Sequence, residues 1–298
     1  MLEFVFWDVQ HGHATYIRTP NNRHMVVDLG IGSFSTKHEF SPLRHLRNNY
    51  GVQQLDYVII THPHRDHIDD IFEFDNMNPK TLHRPRHLSA DVIRAGNKSG
   101  DFNKIDKYLE IEGRYNLPVL GTPGDIDVPA NWGNVRMSFF VSNGCNTNNL
   151  NNHSVVSIFE YLGVKIVIPG DNEKISWNEL LKDIKFCTAS QNADVLLAPH
   201  HGRESGFCPE LMDHVRPRFV VISDGPAGET SCTEKYAAKI RQYRTTGWRG
   251  YYRDNTWDER FCVTTRCDGM IRVRVFKSSD NVNRLNLILH DGTGQNRN

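Results

Sequence analysis

The chain has 298 residues, with 35 basic against 35 acidic side chains and 38% hydrophobic residues. That length allows a substantial core in one large or two small domains, and one is the simpler expectation. Balanced charge supplies no global positive field to gather nucleic acid, so any such grip must be local.

No stretch approaches the roughly 20 apolar residues that cross a bilayer. The opening Met1-Leu-Glu-Phe-Val-Phe-Trp-Asp8 lacks the basic start and long apolar run of a signal peptide, so a cytoplasmic location without membrane contact is expected. Six scattered cysteines form no Cys-x-x-Cys pair, which predicts free thiols in a reducing compartment, with a Cys262 to Cys267 link as the alternative.

In chain order, apolar runs at 4–7, 14–17 and 25–27 predict a β-meander with a turn at 19–23. A short helix over 42–50 precedes a strand over 56–61. From 71 to 130 the pattern weakens and prolines recur, which predicts one or two helices and long loops forming a cap or insertion over a site. Strands follow at 135–141, 155–161 and 164–169, the last two joined at Leu162-Gly163. Next come a helix over 175–184, a strand over 195–199, a helix over 209–215, a strand over 219–223 and a helix over 233–243. Strands at 261–264 and 271–276 close a domain expected to span 1–290, and 291–298 reads as a flexible tail.

The strand at 56–61 runs straight into His62, His64, Asp66 and His67. A strand emptying into a tight loop aims alternate side chains at one point, so His62 and His64 can share one cation while Asp66 and His67 face a second. Histidine clusters arise by chance among 15 histidines, but an apolar run followed by this order of imidazole and carboxylate, then Asp69 and Asp70, answers few structural needs.

Later strand ends supply further candidates. His153 stands just before a strand. Asp171 follows a Pro-Gly turn, as a helix N-cap or, preferably, a bridge between metals. One of His200 and His201 is expected to bind metal, with His201 preferred. Asp28, also at a strand end, is expected to orient a ligand histidine rather than bind metal.

With these residues in place the chain resembles the metallo-β-lactamase superfamily, whose His-x-His-x-Asp-His is matched by His62, His64, Asp66 and His67. Within it, the nearest likeness is to the soluble hydrolase domain of ComEC-type competence proteins. The stretches 8–14, 17–20, 152–155, 169–171 and 199–203 resemble that family's motifs in order, over roughly residues 4 to 276. The sequence departs from the pattern at Gln10, His11 and His13, at His64 where competence-type chains often carry Asp, and at Thr230, about where a His-Pro is usual. The channel helices of the competence protein are absent, so DNA transport is not implied.

The resemblance implies an αββα sandwich, an α/β fold of two mixed sheets flanked by helices. It also implies two divalent metal ions, zinc first and manganese next, with His62, His64 and His153 on one, Asp66, His67 and His201 on the other, and Asp171 bridging. A hydroxide held between ions roughly 3.5–4 Å apart would be the nucleophile. The leaving oxygen needs a proton or cation, for which His200, His13 and Arg203 are candidates, and Asp66, His200 and Arg203 complete the expected catalytic set.

The favoured expectation is a phosphodiesterase or nuclease, acting on nucleic acid or a small phosphodiester. Local support comes from the basic and aromatic stretches 83–87 and 248–253, each otherwise a solvated surface. A carboxylic ester, thioester or lactone hydrolase is the alternative, and a non-catalytic metal-stabilised binding protein the third. Trp248, Tyr251 and Tyr252 would be the place for a homodimer contact.

Overall fold

The central strands of this protein read as nearly unbroken apolar runs where both faces are covered. In Val195–Leu197, Val195 and Leu197 join a central core with Phe4, Phe6, Ile166 and Ile168, while Leu196 points outward to Trp177 and Met212. Val5 likewise turns from Phe4 and Phe6 to an outer core with Leu43, Leu46, Ile105 and Tyr108. Two sheets therefore face each other across one apolar layer, and each carries helices on its outer face.

The computed structural model describes residues 1–35, 38–225, 230–252 and 254–289. One sheet has nine strands, ordered Trp257–Arg260, Trp248–Tyr251, Asn283–Leu289, Ile271–Lys277, Leu2–Phe6, Thr15–Arg18, His24–Val27, Tyr57–Ile59 and Leu82–His83. The other has six, ordered Cys262–Thr264, Phe219–Ile222, Val195–Leu197, Val164–Ile168, Val156–Tyr161 and Arg136–Phe140. Both sheets are mixed. In the first, His24–Val27 and Tyr57–Ile59 run parallel; in the second, Val164–Ile168, Val195–Leu197 and Phe219–Ile222 do. The strands that lead into the candidate residues thus end along one edge of the sandwich. Backbone bonds join the sheets there, with Val155 N–H donating to Thr61 O at 2.9 Å.

The structure revises several expectations. The helix expected over 175–184 is two, Lys174–Leu180 and Ile184–Ser190, because the Asp183 side chain accepts from Lys185 N–H and caps a new start. The stretch 71–130 builds part of the fold itself. Leu82–His83 is an edge strand, and Phe102–Arg114 packs Ile105, Tyr108 and Ile111 into the outer core. Only its part near 96–101 reaches the rim of the candidate site. A strand at Asn283–Leu289 and a hairpin of Trp248–Tyr251 with Trp257–Arg260 extend the first sheet beyond the expected close. Cys262 and Cys267 are free, as are the other four cysteines. The tail 291–298 and Arg253 lie outside the described residues, among which no helix is long and apolar enough to cross a membrane.

The loop carrying His62 to His67 is held from behind by the opening segment. His13 N–H donates to Asp66 O at 3.3 Å, Leu29 N–H to His67 O at 2.8 Å and Asp70 N–H to Leu29 O at 2.8 Å. Asp70 in turn accepts from the Ser41 hydroxyl and Leu43 N–H, at 2.8 and 2.9 Å, and so ties the loop to the start of helix Pro42–Asn49. Burial raises the Asp70 carboxyl to about 7 against those bonds. Gly30 packs so closely that a Cβ there would lie 2.9 Å from Asp66 O and from His13 N. Gly30→Ala must therefore push the loop away, and an equilibrium denaturant titration is expected to show a loss of about 1–3 kcal/mol.

Candidate metal centre

Asp171 lies at the meeting point of the strand ends. Its Oδ1 is 3.3 Å from His67 Nε2, and its Oδ2 is 3.3 Å from His201 Nε2, 3.9 Å from His200 Nε2 and 4.0 Å from His62 Nε2. Asp66 Oδ2 stands 3.5 Å from His201 Nε2. One ligand atom each from Asp66, His67, Asp171 and His201 can be chosen so that all lie within 4.8 Å of one another. Asp171 does not cap the following helix, whose N-cap is Glu173. Beside this group, His62 Nε2 and His64 Nδ1 converge to 2.9 Å.

The His67 and His201 imidazoles are aimed from their far sides. Asp28, fully buried, accepts from His67 Nδ1 at 2.8 Å, His13 Nδ1 at 2.9 Å, and Thr61 N–H and hydroxyl at 2.7 Å each. Since a carboxylate only accepts, His67 Nδ1 carries the proton and Nε2 is left facing Asp171. His201 Nδ1 donates to Ser223 O at 3.2 Å, which turns its Nε2 toward Asp66 and Asp171. The Nε2 atoms of His67 and His201 are buried and make no hydrogen bond. Buried nitrogens left unsatisfied against carboxylates are the donor set a divalent cation takes, so the residues fit a metal.

The backbone around His201 is strained for the purpose. His200 (φ 48°), His201 (φ 56°) and Gly202 (φ 72°) are consecutively left-handed. For the two histidines this costs about 1–2 kcal/mol each. It turns both rings back over the strand end.

The other expected residues divide. His153 is buried but does not join His62 and His64 as expected: its Nδ1 faces Ser142 O at 3.2 Å and His87 Nε2 at 2.9 Å, and its Nε2 faces Asn146 O at 3.3 Å. Both ring nitrogens are thus taken up by the loop that leads to it. His13 cannot serve the leaving oxygen, because Asp28 and the Thr15 hydroxyl, the latter at 2.7 Å, occupy both of its nitrogens. His200 is held at Nδ1 by Ser205 Oγ at 2.7 Å and Glu173 Oε1 at 3.2 Å, with Nε2 toward Asp171. Arg203 lies on the rim, 3.2 Å from the His11 ring. Thr230 turns away to Asp224.

Sequence reasoning passed over two neighbours. His11 Nε2 is 3.4 Å from Asp66 Oδ2 and its ring is 5.3 Å from that of His201. It is brought there by its neighbour Gly12, which like Gly30 packs on the Asp66 carbonyl, a contact the sequence does not announce. Glu173 could be placed only through the turn of its helix. A cleft of about 830 Å³ opens beside the cluster, walled by His11, His64, Asp66 and the 96–101 segment with Lys98.

Burial alone would lower His67 and His201, yet the facing carboxylates hold His67 well above its ordinary value and His201 at about 9. Burial likewise opposes ionisation of Asp171, but His201 and His67 outweigh it and hold its carboxyl far below the usual range. Burial, then His67 and His64, keep His62 neutral. Protons on His67 and His201 thus balance the carboxylates whenever cations do not.

The sequence profile described as "Metallo-beta-lactamase superfamily" matches residues 7–205. A metal-dependent hydrolase of Saccharolobus solfataricus is 29% identical over 107 residues, which are 34% of this chain and 44% of the relative. The chain therefore spans less than half the length of that curated relative. CmlA, a diiron β-hydroxylase from Streptomyces venezuelae, is similar at 13% identity over 80% of this chain and 49% of that one, with a TM-score of 0.43. A long form RNase Z from yeast is similar at 11% identity over 75% of this chain and 37% of that one, with a TM-score of 0.42.

Asp28→Ala frees the His67 ring without removing a ligand, and metal competition with a chelator is expected to show affinity lowered about 10- to 100-fold. In metal-free protein, the raised His201 value means its stabilisation is complete below the unfolded value near 6.5 and is lost as pH rises through about 9. Melting curves of metal-free protein should fall over that window, and metal-loaded protein should not follow them.

Proposed function

The chain belongs to the metallo-beta-lactamase superfamily, and from that premise we propose a metal-dependent hydrolase that uses two divalent ions to cleave phosphodiesters. The observation that carries this is the Asp171 carboxylate, which faces imidazoles of both groups: its Oδ2 lies 4.0 Å from His62 Nε2 and 3.3 Å from His201 Nε2, and its Oδ1 3.3 Å from His67 Nε2. A carboxylate so placed is suited to lie between two cations. His62 and His64 would serve one, and Asp66, His67 and His201 the other. Zinc comes first and manganese next, since imidazole and carboxylate donors accept both. When bound, the ions would supply Lewis acidity and a water acidic enough to ionise near neutral pH.

The remaining roles belong to the chain. His200, anchored through Nδ1 by Ser205 and Glu173, holds Nε2 where it can pass a proton to a leaving oxygen. Arg203 and His11 put a cation and an imidazole at the mouth, where a non-bridging phosphate oxygen would gather charge. Arg203 is what favours a phosphodiester over a carboxylic ester, whose single developing oxyanion needs less cationic support. The nearer likeness to the hydrolase domain of ComEC-type proteins rests on the ordered motifs of the sequence.

The test is hydrolysis of bis-p-nitrophenyl phosphate by metal-stripped protein resupplied with zinc or manganese. Turnover should return with metal and fall by about 100- to 1,000-fold in Asp171→Ala. Arg203→Ala should lose about tenfold on the phosphodiester and little on p-nitrophenyl acetate. Equal losses on both substrates, or ester turnover alone, would favour the carboxylic ester reading.

A further inference from the structure

A second concentration of charge lies far from the metal centre. Arg218 stands just before strand Phe219–Ile222, whose other end leads to Ser223, the residue whose carbonyl accepts the hydrogen bond from His201 Nδ1. Five residues of strand, at about 3.3 Å each, put about 16 Å between them. Around Arg218 a groove of about 600 Å³ is lined by Arg244, Arg249, Arg284, Trp248 and Tyr251, and among the described lining residues Glu259 is the only carboxylate.

Two of the four guanidiniums are already paired, Arg218 with Asp194 at 2.5 Å and Arg284 with Asp280 at 2.9 Å. Arg244 and Arg249 have no ion pair among the described residues. The Arg244 Nε is buried with no hydrogen-bond partner. Burial and then the neighbouring Arg218 lower its affinity for its proton, so cations here crowd one another. Arg249 lies over the Trp257 ring at 4.2 Å, and Arg218 over Trp248 at 4.9 Å. Tyr251 and Trp257, cross-strand partners in the hairpin, are 37% and 44% exposed. In a chain of zero net charge, crowded arginines beside exposed aromatic faces need a partner that brings regularly spaced negative charge and flat rings.

We propose that this groove, at the opposite end of the sandwich from the metals, docks single-stranded nucleic acid: phosphates on Arg244 and Arg249, and bases against Tyr251 and Trp257. The inference goes beyond the reading of the metal centre and stands whether or not that centre cleaves phosphodiesters. It is tested by fluorescence anisotropy of a labelled oligothymidylate with the full chain, both metal-loaded and metal-stripped. Wild-type protein should bind in both states, with affinity falling steeply as salt rises. Arg249→Glu, at an exposed position, should weaken binding by about tenfold and reduce the salt slope by roughly one. Arg244→Glu should do the same if its melting curve shows it folded, and Tyr251→Ala should weaken the oligonucleotide but not polyglutamate. No binding by wild-type protein would overturn the proposal, as would unchanged affinity in Arg249→Glu or equal binding of polyglutamate. Binding that disappears on metal removal would assign the oligonucleotide to the metal centre and overturn it too.

Discussion

The Asp28 carboxylate organises this molecule. It is fully buried at the end of strand His24–Val27, in a left-handed conformation (φ 58°), and it takes bonds from Thr61, His13 and His67. A buried charge without donors would cost several kcal/mol. Here the donors come from the segments that have to be brought together: the opening loop, the end of the neighbouring parallel strand and the metal loop. Satisfying one carboxylate therefore sets the register of two strands and the direction of a ligand at once.

Around that point the fold separates two tasks. Apolar side chains on both faces of the strands hold the sheets, while the polar side chains are collected where the strands end and the backbone can leave the layer. Helix Pro42–Asn49 is joined to the same edge by Asp70, which caps it through Ser41 and Leu43. A carboxylate that sits in the candidate metal-binding stretch of sequence thus serves packing, and one outside it, Asp28, orients the His67 imidazole.

The first half of the centre was legible in the sequence because four donors in six residues after an apolar run suit a cation and little else. Asp171 and His201 were legible as strand-end residues, the strands themselves being plain from their apolar runs. What could not be read were features that arise when separate segments meet. His153 points to His87 because the loop at 142–146 offers it carbonyls, and nothing local announces that. His11 comes within reach of Asp66 through two glycines packed on a backbone oxygen. The left-handed turn at His200 and His201 is hidden because two histidines carry it instead of the glycine that usually marks such a conformation. The missed strand Asn283–Leu289 was different, since Leu285, Leu287 and Leu289 alternate in plain sight and only the expectation of an earlier end obscured them.

The left-handed turn also bears on the order in which the molecule assembles. A conformation unfavourable at two consecutive residues will not persist in an unfolded chain; it is held in the folded one, where Ser223 O accepts from His201 Nδ1 once the six-stranded sheet exists. The loop from His62 to His67 is short and local, whereas the His201 side waits for strands more than a hundred residues later. The candidate site is therefore complete only in the folded sandwich, and an ion held by both sides would act on that finished state, as a seal upon it.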